Sequence, residues 1–235
     1  MKRLLAFILL IVSLDCFAQV ETDRYVIWQP GAKLTFEMFQ GHPSDSAQVK
    51  KITDLHIYHE VAIGFWSVLD VPEPEGWEEG WDEKYSFCAA MDKQNSFFIV
   101  RDSTELKYAQ LLWDVCELAT RISRRNLVQF VDSIHEGMDS RANGAIAIQY
   151  MTCLNDGKQF GHELTSAIFH HVITTHDEAG YKKIRDYVDS CLEELSAFAT
   201  TEEEIDRLLT GKPQEGYKRA ETLNPDFKNR GTIRY

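Results

Sequence analysis

Histidine and acidic side chains are the residues of this chain whose types could support metal chemistry. A His-Glu-x-x-His helix places two imidazoles on one face to hold zinc, and its glutamate activates the metal-bound water. Two His-Glu pairs occur, His59-Glu60 and His162-Glu163. In neither pair is the residue four positions after the histidine another histidine, so each pair offers at most one ligand and one acid.

A metal site could instead combine the second pair with the histidines that follow it. Residues eight positions apart on an ideal helix point about 80° apart, which puts His162 and His170 near one face, and His176 follows shortly after. With Glu163 as the acid, these side chains define an alternative, relocated site for a metal-dependent hydrolase. Scattered helix histidines are usually ordinary surface or core residues, so the sequence favours no metal and no cofactor.

Other catalytic patterns are missing from the sequence. It contains no Gly-x-Ser-x-Gly nucleophile elbow, no Gly-x-Gly-x-x-Gly turn and no phosphate-binding loop that ends in Lys-Ser/Thr. Its 37 acidic residues outnumber 25 Lys and Arg, which gives a formal net charge of −12. The basic residues are scattered among the acids, and this pattern excludes nucleic acid as an expected partner.

The hydrophobic pattern changes from strand-like to helical near residue 102. Apolar, β-branched and aromatic residues predict strands at residues 25–28, 52–67 and 85–100. Spacings of three and four then predict helices at residues 106–122, 142–154, 161–173, 179–198 and 201–209. The predicted fold class is α+β, with a small antiparallel sheet followed by a long helix and further helices.

An acidic loop at residues 71–84 contains two tryptophans, Trp77 and Trp81. One interpretation makes the rings platforms for a cation or a carbohydrate. The favoured interpretation is a solvated connection whose tryptophans fold back on the sheet, because charge runs are usually wet surfaces.

The first eighteen residues have the layout of a secretory signal peptide: a basic start, an apolar run and a small residue before the cleavage point. The apolar run is too short for a membrane span, and Leu14-Asp15 before Cys16 fit a lipid-attachment site poorly. We therefore expect export to the periplasm or beyond, no membrane span after cleavage, a single domain at residues 19–210, and a polar, mobile tail at 211–235.

The exported chain would keep four cysteines in a compartment where disulfides persist. Four cysteines allow three pairings, and a bridge from Cys153 to Cys191 could join two helices. Four buried thiols are equally compatible with the sequence. The cysteines are Cys88, Cys116, Cys153 and Cys191.

Between Trp28 and Arg125, the order and spacing of residues resemble a bacterial family of exported proteins, domain of unknown function 922, described as secreted zinc-dependent proteases. In that family a Trp and a Leu-Thr-Trp-x-Asp-Phe-x-Gly-x-Pro segment precede the sheet, and here Trp28 and the segment LTFEMFQGHP at 34–43 resemble them. The family helix reads roughly His-Glu-Gln-x-His-Phe-Asp-Ile-x-Glu-Leu. The residues that match it in register are Gln110, Asp114, Glu117 and Leu118, with Arg121 and Arg124-Arg125 following.

The resemblance fails at the chemistry. Tyr108 and Leu112 stand at the two histidine positions, and Ala109 stands at the glutamate position. Leu112 and Ala109 have no donor atom and no acid, so this helix cannot hold zinc in the zincin manner. The resemblance therefore implies a zincin-like fold that has lost its site; the alternative is an ordinary amphipathic core helix without that ancestry.

From these observations the sequence predicts an exported, catalytically inactive protein that binds a protein or peptide partner. The active hydrolase with a relocated site and a disulfide-stapled module of unrelated fold are the alternatives. The candidate binding residues are Trp77, Trp81, Tyr108, Asp114 and Glu117.

Overall fold

A computed structural model describes residues 20–137, 144–220 and 232–233, and the predicted signal peptide lies outside these ranges. The strands are β1 (Tyr25–Ile27), β2 (His59–Glu60), β3 (Ile63–Pro72), β4 (Lys84–Asp92), β5 (Phe97–Phe98), β6 (Tyr217–Arg219) and β7 (Thr232–Ile233). The α-helices are α1 (Ser46–Thr53), α2 (Pro74–Glu79), α3 (Ser103–Gly137), α4 (Ala145–Ile168), α5 (Glu178–Glu194) and α6 (Glu202–Thr210). A π-helical turn, Phe169–Ile173, follows α4 directly. The predicted α+β class is confirmed.

The main sheet is antiparallel, in the order β1-β4-β3-β6, and β7 pairs with the other end of β3. The β3–β4 pair sets its register from Ile63 opposite Met91 to Asp70 opposite Lys84. Strands β2 and β5 pair separately, close to the start of α3. The connected strands thus present one broad face to α3.

Strand β4 explains why the strand pattern in the sequence is continuous rather than alternating. Phe87, Ala89 and Met91 belong to the large core that includes α3, whereas Cys88 and Ala90 belong to a small cluster that includes α6. Both faces of the strand are covered, and a strand covered on both faces reads as a continuous apolar run.

Helix α3 is 35 residues long and passes through the centre of the molecule. Every residue from 111 to 121 is buried, so this part of the helix lies in the core. The helix extends beyond the predicted end at residue 122 because the apolar stripe continues through Leu127, Phe130, Val131 and Ile134, which pack against α4 or the main core.

Two predicted boundaries were wrong. Residues 46–53 form α1, capped by the Asp45 carboxylate, which accepts the Gln48 backbone N–H at 2.8 Å. The range 52–67, predicted as one strand, contains the end of α1, the short strand β2 and the first residues of β3. The predicted break at 155–157 lies inside α4. Gly157 serves there as a contact point, because a Cβ would lie 2.4 Å from the Ala119 carbonyl oxygen of α3.

The C-terminal segment is not wholly outside the fold as the sequence predicts. Strand β6 pairs with the end of β3, and the Arg219 guanidinium donates to the fully buried Asp70 carboxylate at 2.5 Å. Arg207 of α6 donates to the same carboxylate at 2.7 Å. This buried ion pair holds β6 and α6 on the sheet; residues 221–231 and 234–235 lie outside the described residues.

All four cysteines in the described part of the chain are free thiols, three buried and Cys191 partly exposed. The pairing of Cys153 with Cys191 is therefore not present, and the alternative of four buried thiols holds for three of them but not for Cys191. Burial raises the pKa values of Cys88, Cys116 and Cys153, which keeps these thiols protonated and unreactive.

Candidate functional site

The three positions that lack zinc-site chemistry lie in the core. Tyr108, Ala109 and Leu112 are at most 1 % exposed and pack within the main apolar cluster. The Tyr108 ring meets the Tyr181 ring edge-on at 5.7 Å, and burial raises the pKa of Tyr108 to about 12. No solvent-filled space lies against these side chains among the described clefts, so Tyr108 is not an exposed binding residue as the sequence predicted.

The polar residues that matched in register form a connected network on α3. The Trp28 indole donates to the Asp114 carboxylate at 2.8 Å, and the Gln110 amide donates to the same oxygen at 3.0 Å. The Gln110 oxygen accepts the Leu34 backbone N–H at 2.9 Å. These bonds fasten the segment that follows β1 to α3, which gives the matched residues a structural role.

Further along α3, a second network is completely buried. The Glu117 carboxylate accepts from Arg121 at 2.8 Å, and the Arg121 guanidinium lies 5.1 Å above the Trp28 ring. Arg124 donates to the Phe87 carbonyl oxygen of β4. Burial raises the pKa of Glu117, with the two arginines opposing the shift. Glu117 is 0 % exposed, so it is a core residue and not the contact residue that the sequence predicted.

A cleft of about 360 Å³ lies between α3 and α5. We call it the α3–α5 cleft. Residues spaced along one face of each helix form its walls, and the loop after β1 closes one side. The charged and polar residues that line it are Lys33, Ser103, Lys107, Gln110, Asp114, Tyr181, Arg185 and Asp189.

Arg185 is the central charge of this cleft. Its guanidinium donates to Asp114 at 2.6 Å and to Asp189 at 2.5 Å. Burial lowers its pKa, but the two carboxylates outweigh burial and the pKa of Arg185 is raised overall. Asp114, a candidate binding residue from the sequence, lines this cleft, and its oxygens are already held by protein donors.

Two lysines line the cleft in addition to Arg185. The Lys107 ammonium pairs with the Glu178 carboxylate at 2.5 Å and lies 4.6 Å from the centre of the Tyr181 ring. Lys33 is exposed and forms no ion pair within the described ranges. The lining therefore holds three cations against two acids, in a chain whose formal net charge is −12.

Trp81 of the acidic loop packs on the C-terminal segment. Its ring stacks on Tyr217 with centroids 5.7 Å apart and planes 21° apart, and it fits against Gly76 and Gly216, where a Cβ would lie 2.6 Å from the ring. Trp77 lies on α2 and is partly buried. The loop that the sequence predicted thus contains a short helix, α2.

The predicted relocated metal site lacks a ligand set in the described residues. His162, Glu163, His170 and His176 are all exposed, and no group of three or more His, Cys, Asp or Glu within the described ranges could hold a metal ion. The His176 Nε2 atom lies 3.2 Å from the His56 carbonyl oxygen, and Glu163 accepts from Gln159 on the same helix.

Sequence reasoning missed the residues that form the cleft on the α5 side. Tyr181, Arg185 and Asp189 are spaced by four, which is the spacing of one helix face, and this regularity was the available signal. It also missed the buried pair of His59 and Glu105, whose Nδ1 and carboxylate oxygen are 2.6 Å apart. Nothing in the sequence joins two residues 46 positions apart.

Across residues 20–137, 144–220 and 232–233, no helix combines the length and the apolar character needed to cross a bilayer. Comparisons with models of protein families, with curated proteins and with solved structures find no match to this chain.

Proposed function

We propose that this chain is an exported, catalytically inactive binding protein of the bacterial envelope, a degenerate zincin-like relative that contacts a protein or peptide partner at the α3–α5 cleft. One observation carries the proposal. The helix positions where zinc chemistry would lie are closed apolar core, and a neighbouring face of the same helix opens a cleft with fixed charges.

The packing around the three motif positions supports loss of catalysis. Buried metal ligands need a metal to offset the cost of their desolvation, whereas Leu112 and Ala109 gain free energy from burial. Both side chains are 0 % exposed. A helix with this packing is stable without zinc, and it leaves no room for a metal-bound water.

The arrangement of a long helix across an antiparallel sheet supports the zincin-like part of the proposal. Trp28, Gln110 and Asp114, which carry the resemblance, bond to one another across 86 residues of sequence. A shared structural network is a reason for these residues to persist after the catalytic ones are lost.

The chemistry of the cleft supports binding rather than turnover. Its lining residues include no histidine and no cysteine, and its central Arg185 is paired with two carboxylates. Charged groups that are fixed in place can orient a partner, but none of them is a free base beside a nucleophile.

Metal and activity measurements on the mature chain, residues 19–235, test the proposal. We expect less than stoichiometric zinc by plasma mass spectrometry and no casein hydrolysis that a chelator abolishes. Stoichiometric zinc together with chelator-sensitive hydrolysis would overturn it. If that activity then disappeared in His162→Ala and His170→Ala but not in the exposed control His42→Ala, the relocated hydrolase would replace it.

A further inference from the structure

We propose that the α3–α5 cleft recognises the carboxylate end of a short extended peptide segment. The inference rests on the proposed binding function and names the chemistry of the ligand. It starts from charge: the cleft is lined by three cations and two acids, and both acids already bind Arg185. The cations left to meet a ligand are Lys33 and Lys107.

Lys107 is positioned to exchange its partner. Its ammonium pairs with Glu178, whose side chain is 73 % exposed, and such surface pairs contribute little free energy. The Lys107 side chain itself is only 28 % exposed and lies against the Tyr181 ring. A ligand carboxylate that displaced Glu178 would keep the ion pair and gain contact with a partly dehydrated ammonium, where charge-assisted hydrogen bonds are strong.

Lys33 supplies the second cation from a different element. The loop that carries it is fixed to α3, because the backbone N–H of the next residue, Leu34, donates to Gln110 at 2.9 Å. Lys33 is exposed and unpaired within the described residues. Two cationic side chains from separate elements therefore line one cleft, and both attract an anion bound in it.

The length of the cleft selects the size of the ligand. Its α3 wall runs from Ser103 to Asp114, and eleven residues of helix rise by about 16.5 Å. An extended chain advances by about 3.3 Å per residue, so about five residues fit along this wall. A cleft of about 360 Å³ is at the small end of the ligand-site range.

The other end of the cleft suits the backbone of such a segment. The side chain of Asp189 is 62 % exposed, and one of its carboxylate oxygens accepts from Arg185. The other oxygen can accept a hydrogen bond from a ligand N–H or amine. Leu34 and Leu106 provide apolar contact along the wall. The two ends thus differ in charge, and a peptide has the same polarity, with a carboxylate at one end and N–H donors behind it.

A titration followed by ¹H–¹⁵N correlation spectra of the mature chain tests this inference. The probes are trialanine, trialanine amide and galacturonate, a carboxylate without a peptide backbone. We expect trialanine to shift the cleft resonances and to bind about tenfold more tightly than its amide, since amidation removes the charge-assisted bonds. Galacturonate should bind more weakly than trialanine, because it does not extend along the cleft.

Variants separate the cleft from general charge effects. Lys107→Met and Lys33→Glu should each weaken trialanine binding about tenfold, whereas Lys182→Met, on the exposed side of α5, should leave it unchanged. Lys33 is exposed, so we expect the Lys33→Glu protein to fold normally.

Equal binding of trialanine and its amide, or no effect of either lysine variant, would overturn the carboxylate assignment. Galacturonate that bound as tightly as trialanine would overturn the peptide assignment. Mass spectrometry of the recovered peptide separates this inference from the proposed function. Cleaved trialanine would refute the proposal that the protein is catalytically inactive, but not the proposal that the cleft binds peptide carboxylates. Trialanine that stays intact and does not bind would refute the peptide-carboxylate proposal alone.

Discussion

Replacing Asp114 with Asn tests whether the polar network on α3 holds the fold together. The Asp114 carboxylate accepts three hydrogen bonds, from Trp28, Gln110 and Arg185. An amide has one oxygen and one NH₂ group, so an oxygen that keeps the Trp28 and Gln110 bonds turns the NH₂ towards Arg185. Two donors then face each other where an ion pair had been.

The magnitude follows from burial. The side chains of Asp114 and Arg185 are 10 % and 17 % exposed. A hydrogen bond between charged groups contributes about 1.5–3 kcal/mol, and breaking a buried pair costs about 3–5 kcal/mol. Because Arg185 keeps its bond to Asp189, we expect Asp114→Asn to lower the free energy of unfolding by about 2–4 kcal/mol. The matched control is Asp189→Asn, which removes the other carboxylate on Arg185. That side chain is 62 % exposed, so its loss should cost less than about 1 kcal/mol.

Urea unfolding followed by tryptophan fluorescence measures both changes. With a denaturant slope of about 2 kcal/mol per molar, a loss of about 3 kcal/mol lowers the midpoint by about 1.5 M. The slope itself should stay constant in both variants. Equal midpoint shifts for Asp114→Asn and Asp189→Asn would refute the claim that the buried network, rather than local surface charge, stabilises this region.

Three further predictions concern packing, pH and thiol reactivity. Gly157→Ala should destabilise the fold by about 1–3 kcal/mol, because its Cβ would collide with the backbone of α3; Gly137→Ala, which meets open space, should not, and equal melting temperatures would contradict the close approach of α3 and α4. Burial raises the pKa of Glu83 above its ordinary value of 4.5, so the ionised carboxylate destabilises the native state above that pH, and this destabilisation disappears as the pH falls. In thermal melts, Glu83→Gln should therefore be stabilised relative to the wild type by more at pH 7 than at pH 4. An identical gain at both pH values would refute this. A thiol reagent should modify the partly exposed Cys191 in the native protein, and Cys116 only after unfolding; modification of both at one rate in mass spectra would contradict the burial of Cys116.

The long helix and its neighbours were predictable from local pattern, and the boundaries were not. Spacings of three and four located α3 because the buried stripe repeats along it. The end of α3 and the unbroken α4 depended on long-range packing. Gly157 shows the reason. A glycine after Asn-Asp usually marks a turn, but here the helix continues, and α3 packs closely against the Gly157 backbone, where a side chain would otherwise lie.

The candidate site shows the same division. Sequence alone showed that Leu112 and Ala109 could not act as zinc ligands, because the chemical type of a side chain is fixed by its identity. It could not find Arg185 and Lys33 as neighbours of Asp114, since they lie 71 and 81 residues away from it.

By itself, the sequence determined the α+β class, the acidic charge and the absence of a His-Glu-x-x-His motif, which are local or additive properties of the chain. Only the tertiary structure decided that Glu117 is core, that the thiols are separate, that β6 joins the sheet and that α3 and α5 enclose a charged cleft. Those features depend on which distant residues are brought together, and that is set by packing of the whole chain around one helix.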